Sequence, residues 1–384
     1  MDNKVYVVRC PDYDQVEEKM SELMVMMGGM AQFAASGDKI VLKTNLLLAA
    51  KPERAATTHP EVVAAVGRLA KQAGATAVIT DSPGSGYEYN ERTLTRVYRT
   101  CGMYQAAEKA GIEVNLDTTH KVVSFPEGAL IKRFEVITPV AEADGVFNLC
   151  KLKTHLFTGM TGAVKNNFGV IAGRAKPGYH AKLADQSRFA EMLLDLAAYV
   201  SPRLSIMDAV VGMEGQGPNA GTPRRIGLLL ASTNPLALDV IANEIIGLCH
   251  VQNPVLVAAE KRGLSPTRPA QVELIGARLP DLRIPSYKFP QTVVTGDGLG
   301  GTWWHRPLAP LFKNGFTLRP QVDRDKCIAC GACFEACPKK IITMVDRKYA
   351  QINEKECIRC YCCHEMCPRD AIQLRSNWLY RFFN

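Results

Sequence analysis

The sequence predicts an α/β chain: a large domain built on a mostly parallel sheet, followed by a separate compact unit. Three observations lead there. Short β-branched runs alternate with longer stretches of helical period up to about residue 280. Glycine-rich and polar segments fall where strands should end, and nine of the 13 cysteines are crowded between Cys327 and Cys367. A length of 384 residues, 47% hydrophobic and 22% charged, is that of two or three globular domains and excludes a disordered or fibrous chain.

Taken in order, strands are expected at Lys4 to Val8, Lys39 to Lys43, Thr76 to Thr80, Gly145 to Lys151, Leu204 to Met207, Arg225 to Ala231 and Val272 to Ile275. Helices are expected at Asp14 to Ala35, His59 to Gln72, Gln105 to Ala110, Gln186 to Val200, Pro235 to Ile246 and Pro254 to Lys261. Pro60 fits a first helical turn, and Gly74 follows that helix where glycine is favoured. The apolar stretch Leu23 to Ala35 is shorter than the about 20 residues a bilayer needs, so no membrane span is expected. Met1 to Cys10 reads as a β run rather than a secretory signal, and the internal Arg224-Arg225 is no twin-arginine signal. Cysteines gathered in one place do not make a disulfide framework, and a cytoplasmic, reduced protein is expected.

In such sheets ligands collect beyond the carboxyl ends of the strands. Asp81-Ser82-Pro83-Gly84-Ser85-Gly86 follows one strand, and its Asp81, Ser82 and Gly84 are candidate cofactor contacts, with a plain tight turn as the alternative. The densest polar stretch runs from Lys151 to Gly169. Backbone N–H groups around Gly159 and Gly162 at a helix start, with charge from Lys153 or Lys165, would bind an anion there. Thr154, Thr161 and Asn166 complete the binding candidates, although Asn166 and Asn167 equally suit a helix cap. Lys165 reads as an anion ligand, a base or a covalent anchor. His155 is a second catalytic candidate, against the alternative of a backbone hydrogen bond in a turn. Glu214, in the glycine-rich Gly212 to Pro218 segment, is a third, as acid or base. Asp239 reads as structural. Neither a Walker loop nor a GxGxxG fingerprint is present.

Between Leu279 and Gln321 prolines and glycines break the pattern. The large domain is therefore assigned to residues 1–300, a connector to 301–320, the cysteine unit to 321–376 and a tail to 377–384. Trp303, Trp304, Phe312 and Phe316 of this region are expected to pack on a flanking domain, because a free linker would be polar.

The cysteine unit repeats one pattern: Cys327, Cys330, Cys333, Cys337, Pro338, then Cys357, Cys360, Cys363, Cys367, Pro368. Lys340-Ile341-Ile342 recurs as Asp370-Ala371-Ile372, so the duplication extends past the cysteines. Zinc, the alternative, takes four ligands as two CxxC pairs rather than this run. The doubled CxxCxxCxxxCP resembles the two-cluster 4Fe-4S ferredoxins, a small α+β fold. That resemblance implies two clusters, one held by Cys327, Cys330, Cys333 and Cys367, the other by Cys357, Cys360, Cys363 and Cys337, with Cys362 left over. Two oxidised clusters with their thiolates carry about −2 each and bring the formal charge of +8 to about +4. No motif or basic run supports nucleic-acid binding.

Lys43-Thr44-Asn45-Leu46-Leu47, Asp81-Ser82-Pro83-Gly84, Lys153-Thr154-His155 through Gly169, and Met213 to Pro218 together resemble the family known as domain of unknown function 362. More distantly, Gly145 to Gly173 and Thr57 to Val63 are similar to the nickel-pincer lactate racemases, which implies that fold for the large domain. By that likeness His155 and Lys165 stand at the interval of a histidine and the cofactor-anchoring lysine, and His180 near a nickel ligand. The racemases have a further histidine where this chain reads Asp81 to Gly86.

The expected function is an iron–sulfur oxidoreductase that takes electrons from or gives them to a redox partner protein. Clusters move one electron at a time, so a two-electron reaction on a small molecule needs a second group, a flavin or another organic cofactor, in the large domain. The alternatives are a ferredoxin-like carrier whose large domain docks a partner enzyme, and a non-redox isomerase of the pincer-racemase type.

Overall fold

The computed structural model describes residues 2–173, 175–290 and 318–375. Trp303, Trp304, Phe312 and Phe316 and the tail from 377 lie outside the described residues.

The first half of the large domain runs β1 (Lys4–Arg9), α1 (Val16–Met26), β2 (Lys39–Lys43), α2 (Pro60–Gln72), β3 (Thr76–Thr80), α3 (Glu91–Thr100), α4 (Met103–Ala110) and β4 (Glu113–Val114). A separate antiparallel hairpin, β5 (His120–Ser124) and β6 (Arg133–Ile137), precedes α5 (Thr138–Ala141). The second half runs β7 (Gly145–His155), β8 (Gly159–Thr161), α6 (Ala163–Asn166), α7 (Ala175–Lys182), α8 (Gln186–Val200), β9 (Leu204–Gln216), β10 (Ala220–Ser232), α9 (Pro235–Ile246), α10 (Pro254–Lys261) and β11 (Glu273–Ile275).

Among the described residues these strands form a sheet ordered β11-β1-β10-β9-β7-β2-β3-β4, with β8 paired to β7. Pairing is parallel from β9 through β7, β2 and β3 to β4, and antiparallel at β1/β10, β9/β10 and β7/β8. All eleven residues of β7 are buried, as a central strand covered on both faces must be. On one face α1, α2, α3 and α4 pack through Leu23, Val62, Leu94 and Met103. On the other lie α8, α9 and α10, with Phe189, Leu193, Val240 and Leu256. Both α9 and α10 begin with an asparagine cap, Asn234 or Asn253, followed by proline at the first position.

The strands at β2 and β3 have the expected bounds, whereas β7 and β9 run well past theirs. The helix expected from Asp14 to Ala35 ends at Met26, because Gly28 and Gly29 adopt φ of 89° and 92°, which stops the helical turn.

Topology decides where a crevice opens. The chain leaves β2 through α2 to β3 on one side, and leaves β7 through α8 to β9 on the other, with the two helices on opposite faces. The carboxyl ends of β2 and β7 therefore flank a switch point, where side chains from divergent loops face one another.

The cysteine unit comprises β12 (Arg319–Val322), α11 (Ala332–Ala336), β13 (Ile342–Val345), β14 (Tyr349–Ile352), α12 (Cys362–Glu365) and β15 (Ile372–Arg375). β12 pairs with β15 and β13 with β14, both antiparallel. It docks on the large domain. Ala336, Cys360, Cys362 and Met366 pack among Leu48, Ala50, Ala56 and Met213, and Asn219 Nδ2 donates to the Cys367 carbonyl at 2.9 Å. Among the described residues no helix is long and apolar enough to cross a membrane.

Candidate functional site

At the switch point lies a cavity of about 60 Å³, several times the about 10–15 Å³ that one water needs. Lys43 closes β2, Asp81 and Ser82 follow β3, and Lys153 stands near the end of β7. Lys165 comes from α6, Lys176 and His180 from α7. Glu365, the last residue of α12, reaches the same wall from the cysteine unit. Both parts of the chain therefore enclose one space.

Its charges are unevenly paired. Lys43 Nζ meets Asp81 Oδ1 at 2.8 Å, both fully buried, and Asp81 Oδ2 accepts the Leu46 N–H at 2.6 Å. Burial pushes Lys43 down and Asp81 up, and their contact offsets this. Gly169 is required beside them, since a Cβ there would collide with Asp81 Oδ1 and Lys43 Nζ. Lys153 finds only neutral acceptors, Asn45 Oδ1 at 2.9 Å and the Ala56 carbonyl. Lys176 donates to Ser82 Oγ at 2.8 Å and to the carbonyls of Ser82 and Pro83. Lys165 Nζ has no hydrogen-bond partner among the described residues. Burial holds Lys153 and Lys165 below the ordinary ammonium range and brings Lys176 down to about 7. Burial raises Glu365 to about 7, with Lys165 and Lys153 pulling the other way. His180 stacks on Phe189 with ring centroids 4.5 Å apart, and burial lowers it to about 3, so it is neutral.

In the cysteine unit Cys327, Cys330, Cys333 and Cys367 surround one cavity. Burial, then the thiols of Cys330, Cys367 and Cys327, raises Cys333 to about 11. Cys363 is raised by burial and then by Cys360, Cys357, Cys333 and Cys337, and Cys357 feels both Cys360 and Cys337. The fold thus brings each triplet together with the fourth cysteine of the other. None of the thirteen cysteines is in a disulfide, and among the described residues no three His, Cys, Asp or Glu side chains converge on a point as a single ion would require. Thiols that surround a volume, crowded enough to disfavour one another's charge, fit a pair of iron–sulfur cubanes, for which these eight residues would be the ligands.

Residues 40–244 match the family described as Domain of unknown function (DUF362), and residues 320–374 match a 4Fe-4S dicluster domain. Over 306 residues the chain is 32% identical to the Thylakoid-associated protein sll1697 of Synechocystis sp., which covers 77% of this chain and 91% of that one. The chain belongs to the DUF362 family. Among solved structures it is similar to the lactate racemase apoprotein from Thermoanaerobacterium thermosaccharolyticum, with 10% identity, a TM-score of 0.39, and coverage of 62% of this chain and 56% of that one. A structural-genomics target from Thermotoga maritima is similar at 12% identity, with a TM-score of 0.35 and coverage of 56% and 55%. The dicluster domain gives this DUF362 protein iron–sulfur electron-transfer capacity.

Of the residues singled out from the DUF362 sequence, Asp81, Ser82, Gly84, Lys153, Thr161, Lys165 and Asn166 line the cavity. Asn166 links Asn45 to Asn148 through amide hydrogen bonds of 2.8 and 2.7 Å, which ties α6 to β2 and β7. His155 stands behind the wall. Its Nδ1 accepts the Phe157 N–H at 3.0 Å, and its Nε2 faces Glu365 Oε1 at 3.3 Å without hydrogen-bond alignment. Burial, then Lys165 and Lys153, keeps this imidazole neutral.

Four expectations need correction. Gly162 opens α6, but the Asp239 carboxylate already accepts the Ala163 and Val164 N–H groups at 2.5 and 3.0 Å, so that helix start is no anion site. Gly159, at φ 71°, serves the β7–β8 turn and stands outside the cavity. Thr154 Oγ1 donates to the Gly215 carbonyl at 2.9 Å and accepts the Gly217 N–H at 3.2 Å, so it ties strands rather than ligand. Glu214 lies within β9, paired with Thr222, and its carboxylate accepts the Lys288 N–H at 3.2 Å away from the cavity.

Sequence reasoning missed Lys176 and Glu365 as site residues and gave Lys43 no role of its own. Lys43 carried a signal, as a lysine directly after the apolar run Ile40 to Leu42 at the carboxyl end of its strand. Glu365 carried none, because only docking brings it to the cavity.

Proposed function

We propose that this DUF362 protein is an iron–sulfur oxidoreductase whose dicluster domain exchanges electrons with a small ligand seated in the cavity between β2, β3 and β7. One observation carries the reading: Glu365, two residues beyond Cys363, lines the same cavity as Lys153 and Lys165. When bound, the clusters supply one-electron transfer. Surroundings give the two cysteine sets different tasks. Cys360 is buried among Leu48, Ala50 and Ala56 of the large domain. Cys330 is exposed beside Ile328, itself 58% exposed, where a redox partner protein has access. Thirteen cysteines without a disulfide among them support a reducing, cytoplasmic setting.

The test uses protein purified anaerobically, reduced, and freed of excess reductant. Mixed with a deproteinised small-molecule extract, the wild type should be reoxidised about tenfold or more faster than Lys165→Ala, followed by cluster absorbance. Equal rates would leave the cavity without a part in electron transfer and defeat the reading.

A further inference from the structure

We propose that the cavity binds a compact oxyanion of about two negative charges, of the size of phosphate or oxalate, with Lys165 and Thr161 as direct donors. The inference rests on the cavity being the working site and adds what it takes. Four ammonium groups, on Lys43, Lys153, Lys165 and Lys176, face two carboxylates, on Asp81 and Glu365, which leaves a formal excess of two positive charges. A neutral ligand would leave Lys153, Lys165 and Lys176 desolvated without a carboxylate in contact, whereas a dianion offsets part of the penalty that burial imposes on them.

Unmet hydrogen-bonding capacity points the same way. Lys43, Lys153 and Lys176 are held by acceptors of the protein itself. Lys165 has no such partner among the described residues. Thr161 Oγ1, in a residue 1% exposed, and His180 Nδ1, in a residue 3% exposed, line the same wall and also lack one. Buried hydroxyl and imidazole groups without partners are uncommon and mark a place where a ligand or ordered water completes the structure. Among the described residues the Glu365 Oε1 atom on this wall also lacks a hydrogen-bond donor; facing the His155 ring, it accommodates a proton on the ligand or an intervening water. A volume of about 60 Å³ suits a ligand of a few heavy atoms.

Calorimetric titration of the oxidised holo-protein under anaerobic conditions tests this with inorganic phosphate, sulfate and oxalate, and with chloride as control. One saturable dianion site per chain is expected. Affinity should fall about tenfold or more in Lys165→Ala and about threefold or more in Thr161→Val, with cluster absorbance unchanged. Absence of saturable binding of all three dianions to the wild type would overturn the proposal, as would unaltered affinity in Lys165→Ala. Should that variant lose its clusters, Thr161→Val decides, and wild-type affinity there overturns the assignment. No electron moves in this experiment. Dianion binding without Lys165-dependent reoxidation would sink the redox reading alone, and the reverse outcome would sink only the oxyanion.

Discussion

Two lysines two residues apart on β7 meet opposite surroundings. Lys151 Nζ sits 2.7 Å from Asp208 Oδ2 and 2.9 Å from the Tyr13 hydroxyl, in a network that His59 joins through its N–H to Asp208 and its ring stacked on Tyr13. Lys153 reaches the cavity and finds an amide oxygen and a carbonyl. Both are fully buried and both are pushed down by burial, but only Lys151 has a carboxylate in contact that opposes the shift. A buried ammonium with its own counterion is part of the scaffold. One without a counterion is an unfavourable feature that folding alone does not explain, and its neighbours Lys165 and Lys176 share the condition.

Breaking the scaffold pair should have the largest effect. Asp208→Asn leaves Lys151 buried without its counterion and should lower stability by about 3–5 kcal/mol, read from anaerobic urea unfolding. Asp239→Ala, which orphans the Ala163 and Val164 N–H groups at the start of α6, should cost about 1–3 kcal/mol and weaken oxyanion binding through displaced Lys165. Lys153→Met removes a charge that has no partner, so its stability should stay within about 1 kcal/mol of wild type or exceed it, while oxyanion binding declines. A loss equal to that of Asp208→Asn would erase the distinction between the two lysines.

The smallest effect lies in pH dependence. Lys176 stands at about 7 in the folded chain against 10.5 ordinarily. Between those values the unfolded chain binds more protons, so the Lys176 contribution makes stability rise as pH climbs from about 7, and the full penalty applies below that. Lys176→Met should flatten this part of the urea-midpoint profile. Sulfate, whose own charge is constant in the range, should bind more weakly to the wild type above pH 7 as Lys176 loses its proton. An unchanged profile in the variant would show that Lys176 is not the titrating group.

Legibility in the sequence followed the range of the interactions. The cysteine pattern is local: ligands on one tight loop must stand at fixed spacing, so the motif was visible although the crossing of Cys337 and Cys367 between loops came only with the resemblance. Strands β2 and β3 were readable to the residue because apolar runs and flanking turns mark them. The ends of β7 and β9 were not, since Lys151 to His155 and Gly212 to Gln216 have the composition of loops yet are held as strand by pairing with β8 and β10. Gly162 has the sequence of an anion-binding turn, but the Asp239 carboxylate of α9, 77 residues on in the chain, takes that place.

By itself the sequence determined the α/β class, the order of most strands and helices and the eight cysteines of the dicluster domain, because periodicity and short spacings are properties of neighbours along the chain. It also presented an excess of lysines at strand ends. Only the tertiary structure decided which of those lysines have a counterion, because Asp208, Asp81 and Glu365 are remote in sequence and their distance from an ammonium group is set by strand order and docking. Electrostatic energy in a buried site depends on those distances rather than on composition.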